Sequence, residues 1–235
     1  MLMIEAPSPN WDAREQGRID MIVLHYTGMP SGAEALARLR DPVAKVSAHF
    51  LLEEDGRLFR LVAETERAWH AGVSYWQGQE RLNDVSIGIE IVNPGHEFGY
   101  RPFPDVQMRR LRTLLDDLVA RFHIRPDRVL AHSDIAPDRK EDPGELFDWQ
   151  VLARAGIGLW PEVGAGDGAR GDVADLLAAI GYRRPHDPVS LRTALVAFQR
   201  HWHPYAVDGQ ADESTLERLA AVADAVSRVA CGEPR

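Results

Sequence analysis

An α/β fold, with a mixed central β-sheet flanked by helices and a small C-terminal three-helix bundle, is predicted by three features of the 235-residue sequence. Over residues 1–160, β-branched and aromatic runs alternate with segments of helical period, the pattern of a sheet with helices packed on it. One pair of apolar runs flanks Asp55-Gly56, whose turn chemistry predicts a hairpin. Beyond the Gly-rich stretch PEVGAGDGARGD, every periodic segment is helical. The chain therefore divides into residues 1–160, a linker over 161–172 and a helical domain over 173–235.

The elements follow in order. IDMIVLHY (19–26) is a strand ending at His25. SGAEALARL is a short helix that Ser31 caps, with Glu34 placed for a capping box. SAHFLLEEDGRLFRLVAE is the hairpin, and WHAGVSYWQGQE (69–80), Gly- and aromatic-rich without a period, is a loop. In DVSIGIEIVNPG the alternation puts Val85, Ile87, Ile89 and Ile91 on one face of a strand and Ser86, Gly88 and Glu90 on the other. Residues 105–122 carry Met108, Leu111, Leu114, Leu115, Leu118 and Phe122 at helical spacing. RVLAH is a short strand ending at His132, followed by a polar loop stiffened by Pro137 and Pro143, then a short helix in FDWQVLARAGI. VADLLAAIGY, SLRTALVAFQRHW and ESTLERLAAVADAVSRVA form the bundle, the last opened by a Ser214/Glu217 capping box.

With 45% apolar residues a sizeable core forms without disulfides, and the single cysteine, Cys231, excludes a disulfide framework or a Cys-based zinc finger. A net charge of −9 argues against general nucleic-acid binding and against docking on anionic membrane or wall polymers. No apolar run approaches the roughly 20 residues of a membrane span. The apolar start is broken at Glu5 and Pro7, so no secretory leader is read. The expected location is the cytoplasm, or the periplasm or envelope if a leader has been removed.

Chemistry concentrates at the strand ends. His25 and His132 face a sheet edge, and Asp142 follows ten residues after His132. Two histidines and one carboxylate suffice for a catalytic zinc with its fourth position left for water; the alternative is that each histidine is a satisfied polar residue. Glu90, mid-strand opposite the aliphatics, is either solvated or a base aimed into a cleft. Lys140 points the same way as Asp142 in an extended segment, either to stabilise charge on a carbonyl oxygen or as a solvated member of the DRKED run. Trp69, His70, Tyr75 and Trp76 are candidates to line a groove for sugar rings and peptides, or to pack under a loop, and Asn93 joins them as a substrate-binding candidate. His201 and His203 flank Trp202 without further ligands nearby and are expected at the surface.

Four stretches in one order, IVLHYTG, SAHFLLEEDGRLFRLVAETERAWHAG, NDVSIGIEIVN and VLAHSDIAPDRKEDPGELFDW, resemble the zinc-dependent N-acetylmuramoyl-L-alanine amidases of the type 2 amidase family over residues 19–160. Phage T7 lysozyme and the peptidoglycan recognition proteins share that fold. The resemblance implies Zn²⁺ on His25, His132 and Asp142, with Asp142 standing where phage members have cysteine. It implies Glu90 as catalytic carboxylate and Lys140 as its cationic companion. Tyr26 follows the first histidine where some cytoplasmic relatives have asparagine. GYRRPHDPVSLRTALVAFQRHWHPYAVDGQADESTLERL is similar to the three-helix peptidoglycan-binding domain. The implied reaction is hydrolysis of the amide between N-acetylmuramic acid, or its 1,6-anhydro form, and L-alanine of the stem peptide. Cytoplasmic muropeptide recycling is the expected setting. Remodelling of intact wall in the envelope, and recognition without cleavage, are the alternatives. The expected partner is a muropeptide or peptidoglycan, with neither nucleic acid nor membrane.

Overall fold

In the computed structural model, residues 2–15, 17–164 and 171–232 are described. The strands are β1 (Ile4–Glu5), β2 (Trp11–Ala13), β3 (Met21–Tyr26), β4 (Phe50–Leu52), β5 (Leu58–Arg60), β6 (Glu66–Ala68), β7 (Tyr75–Trp76), β8 (Gln79–Glu80), β9 (Ser86–Ile91) and β10 (Val129–Ala131). The helices are α1 (Gly32–Arg40), α2 (Gly95–Phe98), α3 (Asp105–Phe122), α4 (His132–Ile135), α5 (Trp149–Arg154), α6 (Val173–Ile180), α7 (Pro188–Trp202) and α8 (Glu213–Ala230).

Six strands make the central sheet in the spatial order β1-β5-β4-β9-β3-β10. All neighbours run parallel except β4 and β5, the hairpin that turns at Gly56 with φ +86°. Register decides the chemistry. His25 on β3 pairs with Glu90 on β9, and Leu51 on β4 pairs with the same Glu90, so all three project from one face. The opposite face is apolar at its centre. Ile22, Leu24, Phe50, Leu52, Ile87, Ile89 and Ile91 pack there on Leu111, Leu114, Leu115 and Leu118 of α3.

The face that carries His25 is covered in two pieces. Leu51 and Phe59 pack with Ala35 and Leu39 of α1. Met21 and Val23, the residues before His25 on that face, join Leu130 in a cluster with Leu177, Leu195, Phe198 and Val222 of the three C-terminal helices. The three helices are present as expected, and their apolar cluster is continuous with that of the sheet. Gly-rich residues 165–170, the centre of the predicted linker, lie outside the described residues. Polar pins add to the apolar contact. Asp134 in α4 accepts from the Tyr182 hydroxyl at 2.7 Å and meets His201 Nδ1 at 2.7 Å, while the Ala131 N–H donates to it at 2.8 Å.

Several expectations are corrected. Val85 belongs to the cluster of Met21 and Val23, not to that of Ile87, because a 3₁₀ turn at Leu82–Asp84 delays the alternation to Ser86. His132 opens α4 instead of ending a strand. The loop over 69–80 contains the β7–β8 ribbon. Asp212, not Ser214, caps α8, accepting from the Thr215 N–H. His201 is 1% exposed, stacked between Trp149 and Trp202, instead of lying at the surface. Among the described residues, no helix is long and apolar enough to cross a membrane.

Asp134 is a buried polar link between the sheet end and the helical region, meeting both Tyr182 and His201. Asp134→Ala leaves buried donors unpaired, and a loss of about 3 kcal/mol is expected from the denaturant midpoint. An unchanged midpoint would mean that apolar packing alone holds the helices on the sheet.

Candidate active site

Three elements bring the metal ligands together. His25 is the last buried residue of β3, His132 opens α4 directly after β10, and Asp142 sits on the following loop, which Ser133 N–H ties back by donating to the Asp142 carbonyl at 3.0 Å. His25 Nδ1 lies 2.9 Å from His132 Nδ1, and Asp142 Oδ2 lies 3.1 and 3.0 Å from those two nitrogens. Among the described residues, this is the sole cluster of His, Cys, Asp or Glu whose ligand atoms converge so, and all three members are buried.

The donor set fits zinc. His132 Nε2 faces the Ala71 carbonyl at 3.3 Å, which only accepts, so the ring proton sits on Nε2 and Nδ1 presents a lone pair. Asp142 also presents lone pairs. Burial, and then His132, pulls His25 down to about 4, so its ring is neutral at pH 7. Burial opposes ionisation of Asp142, but the two adjoining imidazole rings, His132 before His25, outweigh it and hold the carboxyl well below the usual carboxylate range. Neutral imidazoles and an ionised carboxylate are the forms that bind metal. Tetrahedral zinc sets its ligand atoms about 3.3 Å apart, close to the spacing seen.

A cleft of about 380 Å³ opens over this cluster. Glu90 and Lys140 line it beside the ligands, as do Trp69 and His70. Glu90 Oε2 is shielded from solvent and has no hydrogen-bond partner among the described residues. Burial first, and Asp142 second, push Glu90 well above the usual range, with Lys140 opposing. Such a carboxylate is suited to take up and return a proton near neutral pH. Burial, with His25 next, pulls His70 far below the usual histidine range, so its ring is neutral.

Three substrate-binding candidates lie elsewhere. Trp76 is 1% exposed, with Gly181 so close that a Cβ there would come within 2.5 Å of the indole. Tyr75 lies under the Arg183 guanidinium at 4.3 Å, in a separate hollow beside the C-terminal helices. Asn93 is fully buried and shapes its own turn, donating to the Arg101 carbonyl at 2.7 Å and accepting from the Gly95 N–H at 3.0 Å. The shared cause is packing: an aromatic or amide that reads as groove-lining is equally good filling. Conversely, the cleft wall includes Arg38, His96 and Glu97, which the sequence reading did not place there. His96 is drawn in by Tyr26, whose hydroxyl lies 2.9 Å from His96 Nδ1. The Pro94-Gly95 turn was the one local sign that the chain bends back at that point.

The sequence profile of the family described as N-acetylmuramoyl-L-alanine amidase matches residues 15–145. The chain belongs to this family. The amidase is 40% identical to the N-acetylmuramoyl-L-alanine amidase AmiD of Escherichia coli strain K12 over an alignment of 243 residues, covering 91% of this chain and 87% of that protein. It is 37% identical to the 1,6-anhydro-N-acetylmuramyl-L-alanine amidase AmpD of the same organism over 161 residues, covering 61% of this chain and 86% of that one. Among solved structures, the E. coli AmiD complex with anhydro-N-acetylmuramic acid-L-Ala-D-gamma-Glu-L-Lys superposes with a TM-score of 0.79 at 39% identity, covering 88% of this chain and 90% of that one. AmpDh3 from Pseudomonas aeruginosa gives 0.80 at 34% identity, covering 88% and 92%. The amidase is thus a zinc-dependent hydrolase of the bond between the N-acetylmuramoyl group and L-alanine.

Asp142→Ala removes the single anionic ligand. It is expected to weaken zinc affinity by more than about 100-fold, the upper range for residues that only support ligands. Metal content after dialysis against a chelator is the check, and wild-type retention of zinc would remove Asp142 from the ligand set.

Proposed function

We propose that the amidase works on peptidoglycan and its muropeptides in the cell envelope, including 1,6-anhydro forms, rather than only in cytoplasmic recycling. The reach of the similarity supports this reading. The alignment with AmiD runs through the helical region, whereas that with AmpD covers the part of the chain that AmpD-sized proteins possess. The helices resemble a peptidoglycan-binding module, which suits an insoluble substrate better than a small soluble one. The sequence expectation of cytoplasmic recycling has less support, since it rested on net charge and on the start of the chain. Recognition without cleavage is disfavoured because the ligand cluster, Glu90 and Lys140 all line the cleft.

The observation that carries the hydrolytic mechanism is Glu90 Oε2, shielded from solvent and without a partner among the described residues, beside the converged ligands. His25, His132 and Asp142 would hold zinc, which would supply Lewis acidity for the hydrolysis. Glu90 accepts the proton from the attacking water and returns it to the leaving nitrogen of L-alanine. The Lys140 ammonium stabilises the negative charge that develops on the carbonyl oxygen. Trp69 offers an aromatic face to the sugar or the stem peptide at the cleft wall.

Glu90→Gln is expected to lower kcat on the order of 10²–10⁴-fold with zinc content unchanged. The same change alters stability in the zinc-free protein. The folded-state pKa of Glu90 lies above its ordinary 4.5, so its contribution to stability is present below 4.5 and is lost as pH rises through the folded value. Zinc-free Glu90→Gln should therefore melt above wild type at pH 7 and lose that advantage in acid; equal melting at both pH values would show that Glu90 is solvated. For the setting, turnover of insoluble sacculi is compared with that of soluble anhydro-muropeptides, alongside cell fractionation. The envelope reading expects cleavage of sacculi and protein in the envelope fraction. Turnover confined to soluble anhydro-muropeptides by a cytoplasmic protein would return the assignment to recycling.

A further inference from the structure

Running inward from His25 lies a row of polar groups that the hydrolytic steps leave unused; it starts at His70, one edge of which lines the cleft. His25 Nε2, the ring nitrogen pointing away from Asp142, is 3.0 Å from His70 Nδ1. His70 Nε2 is 3.2 Å from Ser86 Oγ, and the Ser86 hydroxyl donates to the Leu82 carbonyl at 2.6 Å. A hydroxyl has one proton and a carbonyl has none, so the direction of the chain is fixed from its far end. The Ser86 proton is committed to Leu82, and therefore His70 Nε2 must donate to Ser86 Oγ. His70 Nδ1 then carries a lone pair, and His25 Nε2–H donates to it. What remains on His25 is a lone pair on Nδ1, the atom that faces His132 and Asp142.

The backbone is shaped to hold that ring. A Cβ on Gly88 would lie 2.3 Å from His70 Cγ, so the imidazole lies where any other residue at 88 would put its side chain. The His70 and Ala71 N–H groups both donate to Asn83 Oδ1, at 3.1 and 2.7 Å. The Ala71 carbonyl in turn accepts from His132 Nε2. Two consecutive residues thus set the free nitrogen of both imidazole ligands, one through its side chain and one through its carbonyl. Both nitrogens of His70 are used inward, so this candidate for substrate binding has none left for a substrate hydrogen bond.

We propose that His70, seated on Gly88 and Ser86, is a positioning residue that locks His25 in its Nε2–H tautomer and so presents Nδ1 to the metal. The inference rests on the zinc reading of the site. Its test is metal affinity and tautomer state in the full chain, independent of turnover. Zinc affinity is measured by chelator competition for wild type, His70→Phe, His70→Asn and Ser86→Ala. Phenylalanine keeps the bulk and removes the acceptor; asparagine restores an oxygen near the position of Nδ1. His70→Phe is expected to weaken zinc binding about 10–100-fold, with His70→Asn recovering most of the loss. Ser86→Ala should weaken it by a smaller factor of about 3–10 in the same direction. Long-range ¹H–¹⁵N spectra of the zinc-free wild type should show His25 protonated at Nε2, and His70→Phe should lose that preference. Wild-type affinity in His70→Phe, equal losses in Phe and Asn, or a wild-type His25 protonated at Nδ1 would each overturn the proposal. Should His70→Phe fail to fold, wild-type zinc affinity in Ser86→Ala overturns it equally well. If wild type itself binds no zinc, it is the zinc reading that fails.

Discussion

Two imidazole nitrogens and a carboxylate oxygen, all within about 3 Å of one another and all shielded from water, form an arrangement that a protein cannot stabilise with its own groups. The proton of His132 is committed to the Ala71 carbonyl, and Asp142 has none to give at neutral pH. A cation in the middle resolves the conflict, and the rest of the site is arranged around it. Oε2 of the nearby Glu90 is left without a hydrogen-bond partner among the described residues and the carboxyl has its proton affinity raised, the state needed for proton transfer. Lys140 supplies the one side-chain ammonium at the cleft.

The fold supports this cluster by splitting one sheet face. Met21, Val23 and His25 project from the same side of β3, yet the first two are dry core and the third is a ligand. The C-terminal helices make the difference by covering the first part of that face. Tyr182 and His201 reach from those helices to Asp134, two residues after His132. The helical region is therefore part of the scaffold of the metal site, besides any role it has toward the wall polymer. Arg200 on α7 extends the same connection to the cleft rim, meeting Glu141 at 3.1 Å.

Much of the site was legible in the sequence because its members have local signatures. His25 and His132 stand at the ends of apolar runs, and Glu90 interrupts one face of a strand whose other face is aliphatic. Ser86 and Gly88 shared that polar face in the alternation, but their task was hidden. A glycine reads as permissive backbone, and only the ring of His70 lying against it explains why position 88 carries no side chain. Trp76 and Tyr75 failed as groove residues for the reverse reason. Their composition suits a sugar-binding wall, but Gly181 and Arg183, more than a hundred residues away, claim them for packing against the helices.

By itself the sequence determined the principal strands and helices, the two-sided character of β9, the span of α3 at Asp105–Phe122 and the residues with metal-binding chemistry, since periodicity and side-chain type are local properties. The tertiary structure alone decided that His25 pairs with Glu90, that residues 70–71 orient both imidazoles, and that the helices close the sheet face. Each of these depends on strand register and on contacts between residues far apart in the chain, where no local pattern records which partner is met.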